Sequence, residues 1–265
     1  ERTGSVFVHP CDHPDVIAGQ GTVGLEIIAK VPDVRTIVVC VGGGGLVSGV
    51  AVAAKSIRPE VKVIGVQAAA AAAYPVSLAA GHPVTLESMS TMADGIAVPR
   101  PGDLTFAIVR ELVDEMRTVS EGDISSAVLL LLERMKMLVE PSGAVAAASV
   151  LAQPLGIEPP VAIVVSGGNV DSLLLMRIIR HGLAAAGRYL AIRVRMADRP
   201  GSLAALLADI QRMDANIIDV EHNRFDPDLA VDEVGIVVHV ETRGREHGAD
   251  VLESLRSSGY ALHDR

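Results

Sequence analysis

Thr36-Ile37-Val38-Val39-Cys40-Val41 runs straight into Gly42-Gly43-Gly44-Gly45-Leu46, and a helical pattern follows from Val47 to Ala54. A short β-branched run that is apolar on both faces reads as a central strand of a parallel sheet with helices on either side. Four successive glycines let backbone N–H groups turn inward with no side chain in the way. The first turn of the next helix adds the positive end of its dipole. The combination predicts a phosphate cradle from Gly42 to Leu46. The alternative is a flexible strand-to-helix turn, for which one or two glycines would be enough.

Two further runs share this character, Lys62 to Val66 and Val161 to Val165, and both read as core strands of the same sheet. Ser166-Gly167-Gly168-Asn169 follows the second of them, so this turn and the glycine loop emerge at one carboxyl edge, where open α/β sheets bind ligands. Ser166 by itself reads more often as a helix cap than as a ligand contact, and its pairing with the glycine loop is what points to a site. Between the strands, Ser120 to Asp123 forms a variant of the capping box. Ile124, Val128, Leu131, Met135 and Leu138 then recur at helical spacing as one buried stripe. Pro141 suits the first position of another helix, so Glu140 before it either complements that helix's positive start or belongs to a site. Ala68 to Ala73 reads as a short helix, and Met92 to Gly95 as a turn.

Composition changes after His181, and the glycine-bounded Gly182 to Gly187 predicts a division into residues 1–187 and 188–265. From Tyr189 the pattern is strand (to Met196), helix (Gly201 to Met213), strand (Ile217 to His222), strand (Glu233 to Glu241), helix (Glu246 to Ser257) and a short strand (Tyr260 to His263). This β-α-β-β-α-β order is ferredoxin-like.

The chain has 265 residues, 49% of them hydrophobic, and a formal charge of −9. That charge, with no clustered basic patch, excludes nucleic acid as a partner. Cys11 and Cys40 suggest a reducing, cytoplasmic setting, with Cys40 as a small buried hydrophobe. No signal pattern opens the sequence and no apolar run approaches the roughly 20 residues of a membrane span, which predicts a soluble protein. His9, His13 and His82 lack metal-ligand spacing and read as surface residues.

Taken in order, His9-Pro10, Ile17 to Thr22, Gly42 to Leu46, Met92 to Ile96, Glu133 to Lys136, Glu140 to Ala144 and Ser166 to Asp171 resemble the threonine dehydratase and serine racemase group of pyridoxal-phosphate enzymes of the second fold type. The resemblance implies a partial tryptophan-synthase-β-like α/β domain. It also implies a cofactor phosphate held by the N–H groups of Gly42, Gly43, Gly44, Gly45 and Leu46, and a ring nitrogen that meets Ser166. A neutral hydroxyl there leaves the ring a weaker electron sink than a carboxylate would, which suits elimination. Glu140 matches a family glutamate near the cofactor and is the catalytic candidate.

The family's Ser-x-Lys-x-Arg-Gly pattern, which carries the cofactor-anchoring lysine, and its Ser-x-Gly-Asn-His loop are both absent. In the family they come before the stretch that matches here, so the chain is expected to be truncated at its N-terminus and inactive alone. Serine racemases hold a divalent metal with two carboxylates where this sequence has Gln67 and Ala73, so no metal is expected and dehydratase is favoured over racemase.

From Tyr189 onward the chain resembles an ACT domain, through Asp198 to Leu203, Asn216-Ile217 and the element order. That implies an amino-acid effector held by Asp198, Gly201, Asn216 and Ile217, commonly between two such domains, with isoleucine the natural candidate and valine opposing it. The expected whole is a homo-oligomeric lyase converting L-threonine to 2-oxobutanoate and ammonia, with L-serine as a side substrate, under feedback control. The alternatives are a serine racemase or serine dehydratase, and a non-catalytic amino-acid-binding or oligomerisation module.

Overall fold

The computed structural model describes residues 8–225 and 229–263 and divides into two compact units, Glu1–Ile178 and Ile179–Arg265. The first is built from α1 (Pro14–Lys30), β1 (Thr36–Cys40), α2 (Gly45–Ile57), β2 (Lys62–Ala68), α3 (Ala73–Ala80), α4 (Asp103–Leu112), β3 (Glu115–Val119), α5 (Glu121–Leu130), α6 (Pro141–Ala152), β4 (Val161–Ile163) and the start of α7 (Ser172–Ala185). Its four strands are parallel in the order β3-β2-β1-β4, with Val38 opposite both Ile64 and Ile163.

Alternation along the strands supplies two cores. Val38, Cys40, Ile64 and Val66 pack with Ile124, Val128 and the alanines of α6. Ile37, Val39, Val41 and Val63 pack with Val47, Val50, Tyr74 and Phe106. Every residue of β1 is buried, as the doubly apolar sequence requires. Each isoleucine or valine among them taken from water contributes about 1.5–3 kcal/mol.

Three expectations are corrected here. β4 lies at the sheet edge with a single neighbour, so Ile163 is 37% exposed instead of core. The alanine run is not one helix: Ala68 ends β2, Ala69–Ala71 form a single 3-10 turn, and α3 starts at Ala73. The capping box at Ser120 and Asp123 is present, and Ile124, Val128 and Leu131 are buried. The stripe then breaks, because residues Leu131–Met135 adopt a π-turn that shifts the phase and leaves Met135 and Leu138 exposed.

The second unit holds β5 (Tyr189–Ala197), α8 (Ser202–Arg212), β6 (Asn216–Asn223), β7 (Glu233–Glu241), α9 (Arg245–Ser257) and β8 (Ala261–Leu262). Its antiparallel sheet runs β6-β7-β5-β8, the ferredoxin-like arrangement. Val234, Ile236, Val238 and Val240 alternate inward from β7 against Leu206 and Ile210 of α8 and Val251 and Leu255 of α9. No helix among the described residues is long and apolar enough to cross a membrane.

Candidate functional site

The ends of β1 and β4 deliver the glycine loop and the Ser166 turn to one edge of the parallel sheet. Between them lies a cavity of about 310 Å³. Gly42, Gly43, Gly44, Gly45, Leu46, Glu140 and Ser166 all line it, so the first unit brings its predicted residues together.

The loop's orientation is fixed from behind. Tyr74 Oη and Thr105 Oγ1 donate to the carbonyl of Gly43 at 3.1 and 2.8 Å. In a trans peptide the following N–H points the opposite way, so pinning this carbonyl turns the N–H of Gly44 away from those hydroxyls. Burial pushes the Tyr74 phenol well above its ordinary pKa, which keeps it a donor. Gly44 has φ 97°, and a β-carbon there would run into Tyr74 Oη, so glycine is required twice over. Gly45 opens α2, whose first-turn N–H groups have no intrahelical partner.

Cys11 closes over this loop so tightly that a β-carbon at Gly43 or Gly45 would collide with it. It is held there by His9, whose Nδ1 accepts from the N–H of Asp12 at 2.8 Å, and by the Asp12 carboxylate, which accepts from the N–H groups of Asp103 and Thr105. His13 caps α1 by accepting from the N–H of Asp15. These are structural duties that the surface reading of both histidines did not contain. Tyr74, Thr105, Asp12 and Cys11 were invisible as site residues, because each acts across a long sequence separation and none sits in a local motif.

Across the cavity, Ser166 Oγ and Cys40 Sγ are 3.5 Å apart. Burial pushes the Cys40 thiol up, so Cys40 is a neutral hydrogen-bonding neighbour of Ser166 as well as a core hydrophobe. Glu140 is the N-cap residue of α6, but its side chain does not cap that helix. Its Oε2 accepts from the N–H of Asn169 at 3.0 Å, while its own N–H donates to Gly167 O, which ties the helix start to the Ser166 turn. Gln67 is fully buried, donating to Val41 O and accepting from the N–H of Tyr74.

A pattern common to the enzymes described as "Pyridoxal-phosphate dependent enzyme" matches residues 1–167. The chain belongs to that family. An ACT domain matches residues 191–257. The chain is similar to an L-threonine ammonia-lyase of Thermotoga maritima, 47% identical over 99% of this chain and 65% of that protein, so it spans just under two thirds of the relative's length. Among solved structures it is similar to the processed form of threonine deaminase isoform 2 from Solanum lycopersicum (TM-score 0.64, 40% identity, 68% of this chain and 53% of that one). It is also similar to maize serine racemase (TM-score 0.62, 40% identity, 69% of this chain and 57% of that one).

The cavity suits the family's cofactor. It offers a glycine loop, with the N–H of Gly44 turned away from Tyr74 and Thr105, where a phosphate could bind, and a hydroxyl at Ser166 that could meet a ring nitrogen. It also holds one buried hydroxyl, Ser142 Oγ, with no partner among the described residues. The lysines of this chain are placed elsewhere. Lys55 pairs with Asp114, Lys62 with Glu115 and Lys30 with Glu26, and Lys136 donates to Glu133 O; none lines the cavity.

In the second unit, Gly201 (φ 92°) caps α8 directly after β5, and a β-carbon on it would meet open space. Asp198 accepts from Arg224 Nε and Nη2 at 2.7 and 3.1 Å, and this guanidinium holds its carboxyl below the usual range. Asn216 and Ile217 begin β6 opposite Glu241 and Val240, at the end of the sheet where β5 starts. Asp198 and Gly201 follow the other end of β5, about 25 Å away at the rise of an extended strand. One chain therefore does not bring the four predicted effector residues together.

Proposed function

We propose that this chain forms the cofactor-binding and regulatory portions, residues 1–187 and 188–265, of an enzyme that converts L-threonine to 2-oxobutanoate and ammonia, with L-serine as a second substrate. The observation that carries the reading is its reach. Likeness in sequence to the ammonia-lyase extends over 99% of the chain, through both units, while likeness in sequence to serine racemases covers 64%. The side chain of Gln67, committed to two internal hydrogen bonds, also leaves no carboxylate at a position where the racemases place a metal ligand.

When bound, the cofactor supplies an electron sink that acidifies the substrate's α-proton and allows the β-hydroxyl to leave. The residues here have supporting tasks. Gly42 to Leu46 bind the phosphate through backbone N–H groups, and Ser166 orients the ring through its nitrogen while leaving it uncharged. Glu140 stands in the same cavity as the group that meets the reacting side. The chemistry also needs a lysine that this chain's own residues do not place at the cavity.

The second unit is read as a sensor for isoleucine, with valine opposing. Because Asp198 with Gly201 and Asn216 with Ile217 stand at opposite ends of one sheet, a ligand touching both pairs needs two copies, which fits a homo-oligomer. Two unpaired cysteines suit a cytoplasmic setting.

The test is titration of the chain with pyridoxal phosphate, read by the fluorescence of bound cofactor, and with isoleucine, read by calorimetry. Saturable cofactor binding that inorganic phosphate competes away is expected. Its absence sinks the cofactor reading, and D-serine as the product from L-serine by the lysine-bearing holoprotein would favour the racemase.

A further inference from the structure

We infer that Ser142 forms, with Glu140, a subsite for a hydroxyl group of the bound ligand, an inference that rests on reading the cavity as a cofactor and substrate site. Ser142 lies in the first turn of α6 and lines the cavity. It is 4% exposed, and its Oγ has no hydrogen-bond partner among the described residues. A buried hydroxyl left unpaired is disfavoured, and this one belongs to a residue of the cavity wall, where a ligand could supply the missing partner.

Its surroundings say what kind. A β-carbon built on Gly95 would lie 2.9 Å from Ser142 Oγ and 3.4 Å from Glu140 Oε1, so both oxygens stand on the same side of Gly95, close enough that only a glycine fits beside them. Glu140 Oε2 is already occupied by the N–H of Asn169. A carboxylate only accepts, whereas a serine hydroxyl both donates and accepts. A ligand hydroxyl completes both: its proton goes to Glu140 and its lone pair takes the proton of Ser142. An ammonium can donate to both but has no lone pair for the serine. Two hydroxyls have this chemistry, the ring hydroxyl of pyridoxal phosphate and the β-hydroxyl of L-threonine.

Ser149 provides the comparison. It sits on the same helix, is fully buried and has an equally unpartnered Oγ, yet it does not line the cavity. In the 265-residue chain, the affinity for pyridoxal phosphate would be measured by fluorescence for wild type, Ser142→Ala and Ser149→Ala. L-threonine and L-2-aminobutyrate, which differ by the hydroxyl, would then be titrated onto the chain loaded with deoxypyridoxine phosphate, an analogue with no aldehyde to react with amines.

Ser142→Ala is expected to weaken one hydroxyl-dependent step by about three- to tenfold, the loss of one hydrogen bond, with no fall in the melting temperature of the unliganded chain. Weaker pyridoxal phosphate binding assigns the ring hydroxyl. A smaller preference for threonine over 2-aminobutyrate, with cofactor affinity intact, assigns the substrate. If both quantities stay within about twofold of wild type, or if Ser149→Ala changes them as much, the inference is overturned while the cofactor reading stands. If the wild type binds no pyridoxal phosphate, that reading falls first and takes the inference with it.

Discussion

The carbonyl oxygen of Ser166 occupies the space that a β-carbon on Gly143 would take, so the first turn of α6 packs backbone-to-backbone against the turn that presents the Ser166 hydroxyl. Gly143→Ala must displace that turn, because the two nearest atoms, O and C of Ser166, are backbone and the third belongs to the short side chain of Val139. The expected cost is about 1–3 kcal/mol of stability, as for other overpacked sites. Denaturant unfolding measures that cost. A loss of cofactor affinity larger than the lost stability accounts for would show that the turn's position matters for binding, and unchanged affinity would separate the two.

Tyr74→Phe removes one of the two donors that hold the carbonyl of Gly43, and Thr105→Val removes the other. Each should lower stability by about 1 kcal/mol, and the double variant should weaken phosphate binding by more than the two single changes combined, since either hydroxyl alone still orients the peptide. Competition of inorganic phosphate with pyridoxal phosphate reads this out. Strict additivity would refute the shared role.

Arg117 is 8% exposed and donates to Glu115 and to the carbonyls of Gln153 and Leu155. Arg117→Ala leaves the carbonyls of Gln153 and Leu155 without this donor and Glu115 with Lys62 alone, and should cost about 1–3 kcal/mol. Arg117, with Lys62, holds the Glu115 carboxyl below its ordinary range. A depressed folded-state pKa contributes stability above the unfolded value and loses it as pH falls through the folded one. Glu115→Gln should therefore be less stable than wild type at neutral pH, with the gap closing as pH drops below about 4.3. Urea midpoints at a series of pH values test the sign.

Isoleucine binding should depend on chain concentration, because a ligand contacting both Asp198 with Gly201 and Asn216 with Ile217 must bridge two copies. Calorimetry paired with sedimentation should show affinity rising with the dimer fraction. Binding to a strictly monomeric chain would contradict the bridging site. Gly201→Ala meets no neighbour, so its cost is backbone strain alone, about 1–2 kcal/mol, and Gly201→Asn should recover part of it.

Borohydride reduction of the chain with pyridoxal phosphate should yield no stoichiometric adduct at a single lysine, since Lys30, Lys55, Lys62 and Lys136 all lie away from the cavity. Peptide mass mapping checks this, and one uniquely modified lysine would refute it.

Local sequence was enough for β1 and its glycine loop, because a doubly apolar strand followed by four glycines has few other conformations that bury the one and free the other. The capping box at Ser120 and the alternation of β7 were legible for the same reason: each depends on spacing within a few residues. The helical stripe past Leu131 misled, since periodicity carries no signal for the π-turn that ends it. Nor did the apolar composition of Val161 to Val165 reveal that its strand lies at an edge, because that depends on which strands pair with it.

Hydrophobic period and the places where glycine is tolerated were sufficient to specify the two-part architecture, the parallel order of strand and helix in the first part, and the glycine loop and Ser166 at one sheet edge. Which side chains complete the cavity was settled by the folded packing. Tyr74 and Thr105 reach Gly43 from 31 and 62 residues away, and Gly143 admits the Ser166 turn. Ser142 and Glu140 both come to the cavity wall beside Gly95. Such meetings depend on how helices seat on the sheet, which is set by the packing of the whole core and is written in no short segment of the chain.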